Sequence, residues 1–290
     1  MSALTDALAW VVVAVFGASA LLYPRDERLS KRLRIAAWVI FAVFWALLVP
    51  HFAFTQRSII EGALSALAVP ASLYVAYLVW RDSRDFATVT RAVAIMGILY
   101  LPFQTIGPLR NGSIEMVTRH VEFLLHTLGY DPTVVRGTNG LRSTFVFVGP
   151  DGHRFTTRVL LACTGAGSAA TVSGLVLALR APLRRRLLGV AIAVPVIYGL
   201  NVLRVAFIAL AHGKQWFAGF KDPIFLLFGT NNPFMVSYLV ADRVLAQTLS
   251  VIALVALTLG LLRLLPELSV VVEDVLFVLT GRDYDVGRIL

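Results

Sequence analysis

Long apolar stretches, separated by short connectors rich in arginine, set the pattern of this chain. The apolar runs cover roughly residues 4–22, 35–54, 59–80, 92–109, 159–179, 187–211 and 234–262. Each is close to the twenty or so residues that a helix rising 1.5 Å per residue needs to cross about 30 Å of hydrocarbon. The pattern therefore predicts an all-α polytopic membrane protein with about seven transmembrane helices. Nothing in it repeats internally, and no segment is of low complexity.

Two stretches depart from this plan. In "SIEMVTRHVEFLLHTL" the apolar positions Ile114, Val117, Val121, Leu124 and Leu128 recur at helical spacing. This predicts an amphipathic helix lying on the membrane surface. "STFVFVGPDGHRFTTRV" reads as two short strands around a Gly-Pro-Asp-Gly turn, hence a small β-hairpin. Both fall within residues 110–158, read as one external loop. The segment "QWFAGFKDPIFLLFGTNNPF" is too broken to span and reads as a lid or re-entrant piece, its aromatics an interfacial belt. The expected organisation is a single membrane-embedded domain over 1–290, with catalytic helices in 159–262 and a cytoplasmic tail from 263 to 290.

Composition supports the class: hydrophobic residues make up 58% and charged residues 15% of the chain. The net charge of +9 raises the question of nucleic acid. Most of the basic residues, however, sit in short connectors, where they set membrane orientation instead. "YPRDERLSKRLR" carries five, "RDSRD" two and "LRAPLRRR" four, against one in "HFAFTQRS". The rule that positive loops stay inside then puts the N-terminus outside and the C-terminus in the cytoplasm. The first run lacks a basic stretch before it and precedes a strongly basic stop, so it reads as a retained helix, not a signal peptide.

The candidate chemistry lies inside the spans. The only cysteine, Cys163, opens the run "VLLACTGAGSAATVSGLVLAL". One cysteine forms no intrachain disulfide and no metal cluster. Arg204 lies in "GLNVLRVAFIALA" and Arg243 in "SYLVADRVLAQTL". A membrane arginine is expensive to insert, about 2.5–3.5 kcal/mol, and normally faces a protein interior or wet cavity. The predicted topology brings all three side chains within roughly 6–14 Å of the same external surface. A thiolate near a helix N-terminus and a cation is a good nucleophile. An arginine can hold a thiolate or oxyanion but is a poor base. That leaves the proton-transfer role unassigned; His212, about 12 Å up the helix from Arg204, is one candidate.

Blander readings stand beside these. A buried cysteine is commonly a small hydrophobe, and either arginine could pair with Asp242, Glu61 or backbone carbonyls. The "GAGSAATVSG" stretch suits close helix packing. His51, His120, His126 and His153 show no metal-ligand spacing. Pro70 and Pro195 near membrane arginines would also suit a transporter or an anion-binding channel with arginines lining the site. That alternative, though, places polar residues at the midplane, whereas these cluster toward one face. A scaffold protein would account for the small-residue faces but not for the thiol beside two arginines.

With "ACTG" in one helix, "NVLR" in the next and an arginine in the one after, the sequence resembles the exosortase/archaeosortase family. The separations are 41 residues from Cys163 to Arg204 and 39 from Arg204 to Arg243. An arginine instead of a histidine at the third position resembles the archaeosortase branch. The resemblance covers most of the chain, although the early spans are generic. It implies a membrane-embedded cysteine peptidase or transpeptidase without a cofactor, its site on the extracellular side of the cell membrane. It implies Cys163 as nucleophile, Arg204 as the residue stabilising thiolate or oxyanion, and Arg243 as the residue positioning substrate. The implied client is a secreted surface protein such as S-layer glycoprotein, carrying a C-terminal PGF-CTERM signal: a Pro-Gly-Phe motif, a transmembrane helix and a basic cluster. The helix is removed, and the new C-terminus passes through a thioester to the amine of a membrane phospholipid.

Overall fold

The computed structural model describes residues 3–52, 59–138 and 140–288. The connector at 53–58, with Arg57, lies outside them, as does the end of the second predicted run at Phe54. Fourteen labelled elements follow along the chain: α1 Ala3–Leu22, α2 Glu27–Pro50, α3 Ile59–Trp80, α4 Ala87–Thr105, α5 Gly107–Thr127, β1 Thr133–Arg136, β2 Arg142–Val148, β3 Arg154–Arg158, α6 Ala166–Ala178, α7 Leu183–Gly213, α8 Lys221–Phe228, α9 Val236–Leu239, α10 Gln247–Leu264 and α11 Ser269–Thr280. Among the described residues, six helical segments are long and apolar enough to cross a membrane: Thr5–Leu22, Glu27–Pro50, Gly62–Trp80, Ala87–Thr105, Leu183–Gly213 and Pro233–Leu264. The protein is mostly helical, with one small antiparallel sheet and a multi-pass membrane character.

The run at 159–179 differs from its prediction as one continuous span. It opens with a single 3-10 turn, Leu161–Thr164, and continues as the 13-residue α6. Between them Gly165 takes φ +75°, a left-handed conformation that costs any residue with a Cβ. Thirteen residues rise only about 20 Å, short of a hydrocarbon core.

The chain divides into two compact units. Unit 1 comprises residues 1–101, 170–192 and 261–290, and unit 2 residues 102–169 and 193–260. Unit 1 packs α1, α2, α3 and most of α4 around Phe16 and Trp38, whose rings meet edge to face at 5.1 Å. The Trp38 indole donates to Thr90 Oγ1 at 3.2 Å, so its polar edge is not stranded in the core. In α6, Gly174 lies so close to α4 that a Cβ there would meet the Ala92 carbonyl and Met96 amide at 2.8 Å. The small-residue stretch is thus a packing face. The residues read as a tail form α11, fastened by Arg84, which donates to Asp274 at 2.8 Å and lies over the Phe277 ring.

Unit 2 is built on α5, the sheet and the latter part of α7. The predicted hairpin is present, with Val148 opposite Arg154 across the Gly-Pro-Asp-Gly turn, and a third strand extends it in the order β1-β2-β3. The central β2 is buried at five successive positions, Ser143 to Phe147, because both faces are covered. The apolar stripe of α5 serves this core instead of a membrane surface. Ile114, Val117, Val121 and Leu125 are buried with Phe145, Phe147 and Phe155 of the sheet and Val202, Val205 and Ala209 of α7. Leu128, expected on that stripe, is 56% exposed. At the end of α7, Gly213 admits the Phe147 ring into space that a Cβ would occupy.

Candidate active site

The sheet delivers Cys163. The Val159 amide donates to the Ser143 carbonyl at 2.8 Å, continuing the β2–β3 ladder by one residue. The chain then enters the 3-10 turn, closed by the Cys163 amide donating to the Leu160 carbonyl at 2.9 Å. Thr164 ends the turn: its hydroxyl donates to the Leu161 carbonyl at 2.7 Å and accepts from the Ala166 amide at 3.3 Å. The thiol therefore sits just ahead of α6, not in its first turns. Cys163 is half-buried against the core of α5, the sheet and α7.

The left-handed Gly165 brings this turn against α7. A Cβ at Gly165 would meet the Asn201 side chain at 3.2 Å. Asn201 uses that proximity, and its Nδ2 donates to the Cys163 carbonyl at 2.5 Å. One turn along α7, at i+3, stands Arg204. The "NVLR" tetrapeptide thus places a clamp for the cysteine backbone and a guanidinium on the same side of one helix.

Arg204 donates through Nη2 to Asp242 Oδ1 at 2.8 Å. The other carboxylate oxygen of Asp242 lies 3.7 Å from Arg243 Nε. Asp242 is thus shared between two cations, its side chain 13% exposed against 33% for Arg204 and 31% for Arg243. Tyr238 stands one helical turn before Asp242 on the same segment. Cys163 lies within electrostatic range of Arg204, Asp242 and Tyr238. The predicted trio is therefore gathered around one centre, with Arg243 joined to it through Asp242.

A local irregularity accompanies this grouping. Residues Val240–Ala246 form a π-helix between α9 and α10. Neighbouring residues of a regular helix point about 100° apart and do not face each other, whereas a π turn widens the backbone and reorients them.

His212, the candidate for moving a proton, is 5% exposed, and its Nδ1 finds no partner. Its ring meets Phe155 and Tyr238 edgewise, each at 5.6 Å. Next to it, His153 of the hairpin turn stacks on Phe234 at 4.1 Å. His120 lies elsewhere, its Nδ1 2.5 Å from the Tyr198 hydroxyl, and His126 faces Asp131 at 3.4 Å. Of the partners weighed for the arginines, Asp242 is the one present; the Glu61 side chain lies outside the described residues. Sequence reasoning did not single out Asn201 or Tyr238.

The family model described as "Transmembrane exosortase (Exosortase_EpsH)" matches residues 3–235. The chain belongs to the transmembrane exosortase family. Among curated relatives of this exosortase-family chain, the protein named Archaeosortase A from Haloferax volcanii is 45% identical over 292 residues, spanning 97% of this chain and 96% of the relative. The protein of that name from Natronomonas pharaonis is 43% identical over 281 residues, spanning 94% and 88%. No solved structure matches the chain.

Proposed function

We propose that this exosortase-family protein is a membrane-embedded cysteine transpeptidase of the archaeosortase type. In this reading it removes the C-terminal transmembrane helix of PGF-CTERM surface proteins, S-layer glycoprotein among them, outside the cell membrane. The observation that carries the reading is the meeting of two membrane arginines on the Asp242 carboxylate, with the only thiol within electrostatic range of it. Near-complete coverage by relatives named Archaeosortase A supports it.

The chemistry follows from the groups present. The Cys163 thiolate adds to the carbonyl carbon of the scissile peptide bond. Negative charge moves to the carbonyl oxygen, where the fixed guanidinium of Arg204 can stabilise it. Collapse forms a thioester and breaks the C–N bond, and the amine of the departing helix takes a proton, for which the unpartnered imidazole of His212 is the candidate donor. A lipid amine then attacks the thioester carbonyl, forms an amide, loses a proton and returns the thiolate. Arg243 holds the substrate in register. A site near the outer leaflet suits both a translocated client and a lipid acceptor.

Complementation in an archaeosortase-deficient archaeon tests this. Cys163→Ala should accumulate in the membrane yet leave the client helix uncut, and Arg204→Ala should reduce cleavage by about 10²–10³-fold, the scale of a lost oxyanion donor. Normal client size with Cys163→Ala would sink the reading and return the anion-channel alternative.

A further inference from the structure

Asp242 is the least exposed member of the charged cluster, and it lies between the two arginines. Its Oδ1 accepts from Arg204 at 2.8 Å, and its Oδ2 lies 3.7 Å from Arg243 Nε. Arg204 belongs to α7 and the other two to the α9–π–α10 segment, so one carboxylate ties separate helices together. Left to themselves, two guanidiniums near one point repel, and each would swing toward water or lipid headgroups. With Asp242 between them, Arg204 is held by a charge-assisted hydrogen bond and Arg243 by an ion pair to the other oxygen.

The charges also balance. Asp242 offsets one arginine, and a thiolate at Cys163 offsets the other, so the cluster with its nucleophile ionised carries no net charge. Thiol reactivity would be equally well served by a lone arginine beside Cys163. The second arginine and the carboxylate between the two make sense when direction, not charge alone, is what the site needs.

Resting on the function proposed above, we infer that Asp242 is a positioning residue of the transfer reaction. It fixes Arg204 toward the oxyanion and Arg243 toward the substrate without itself meeting either. The π segment is the backbone device that lets Asp242 and Arg243, adjacent in sequence, serve the same centre.

The test uses the full-length protein in liposomes and a reporter ending in a Pro-Gly-Phe motif, a transmembrane helix and a basic cluster, with kcat and KM measured separately. Asp242→Asn keeps the shape and removes the charge. Its kcat should fall by about 10²–10³-fold, the scale of a misaligned oxyanion donor, with KM within threefold of the parent. Iodoacetamide should still alkylate Cys163, showing an intact thiol pocket. Asp242→Glu restores the charge on a longer arm and should recover part of the loss, remaining about tenfold below the parent. Parental kcat in Asp242→Asn, or a loss confined to KM, overturns the inference. Should Asp242→Asn fail to accumulate, Asp242→Glu decides: reduced kcat with unchanged KM supports positioning, and full activity overturns it. A Cys163→Ala chain that still cuts the reporter would bring down the function itself, a failure distinguishable from that of Asp242 alone.

Discussion

Gly165 and Asn201 show how narrowly the Cys163 turn is held. Gly165 occupies φ +75° and lies where a Cβ would press on Asn201. Gly165→Ala carries about 1–2 kcal/mol of left-handed strain and displaces the donor to the Cys163 carbonyl. The expected outcome is at least tenfold slower client cleavage with the protein still present in the membrane, read by immunoblot of both. Cys163, Arg204 and Arg243 stood out in the sequence as candidates because their types are rare in apolar runs. Asp242 was legible only as one of several partners for an arginine. Asn201 and Tyr238 were not, since an amide or phenol in a helix has no spacing that separates a clamp from ordinary packing.

At the scale of elements, the small-residue stretch of α6 announced close packing, and Gly174 against Ala92 and Met96 is where it occurs. Gly174→Leu has no room beside that backbone. Overpacking of this kind costs about 1–3 kcal/mol, so its thermal midpoint in detergent should fall by several degrees, while Gly219→Leu, which meets nothing within 4 Å, should leave it nearly unchanged. The break at Gly165 was hidden because a glycine among alanines and serines reads equally as a packing face. The third strand was hidden because Thr133–Arg136 is only four residues long and alternates weakly. The α5 stripe was found at the right spacing, but periodicity says only that one face is apolar. It does not say whether lipid or protein covers that face.

For the whole molecule, the membrane class was the most legible feature, because length and hydropathy alone carry it. Orientation rests on arginine counts in the connectors and yields a direct prediction. In a Cys163→Ser background, a membrane-impermeant maleimide should label Asp151→Cys in intact cells and Ser83→Cys only after permeabilisation. The opposite pattern would invert the proposed topology. The described fold adds that the final segment is anchored, since Arg84 reaches across 190 residues of sequence to Asp274.

The Arg204–Asp242 bridge has a further consequence, for how the chain is made. Its partners are separated by 38 residues and belong to different membrane segments. At about 5–20 residues per second, synthesis of that interval takes roughly two to eight seconds. For that time α7 carries a guanidinium whose carboxylate does not yet exist, at an insertion penalty of about 2.5–3.5 kcal/mol. The site is therefore assembled late in biogenesis, and a chain stopped between Gly213 and Pro233 would leave α7 with its charge uncompensated in the bilayer.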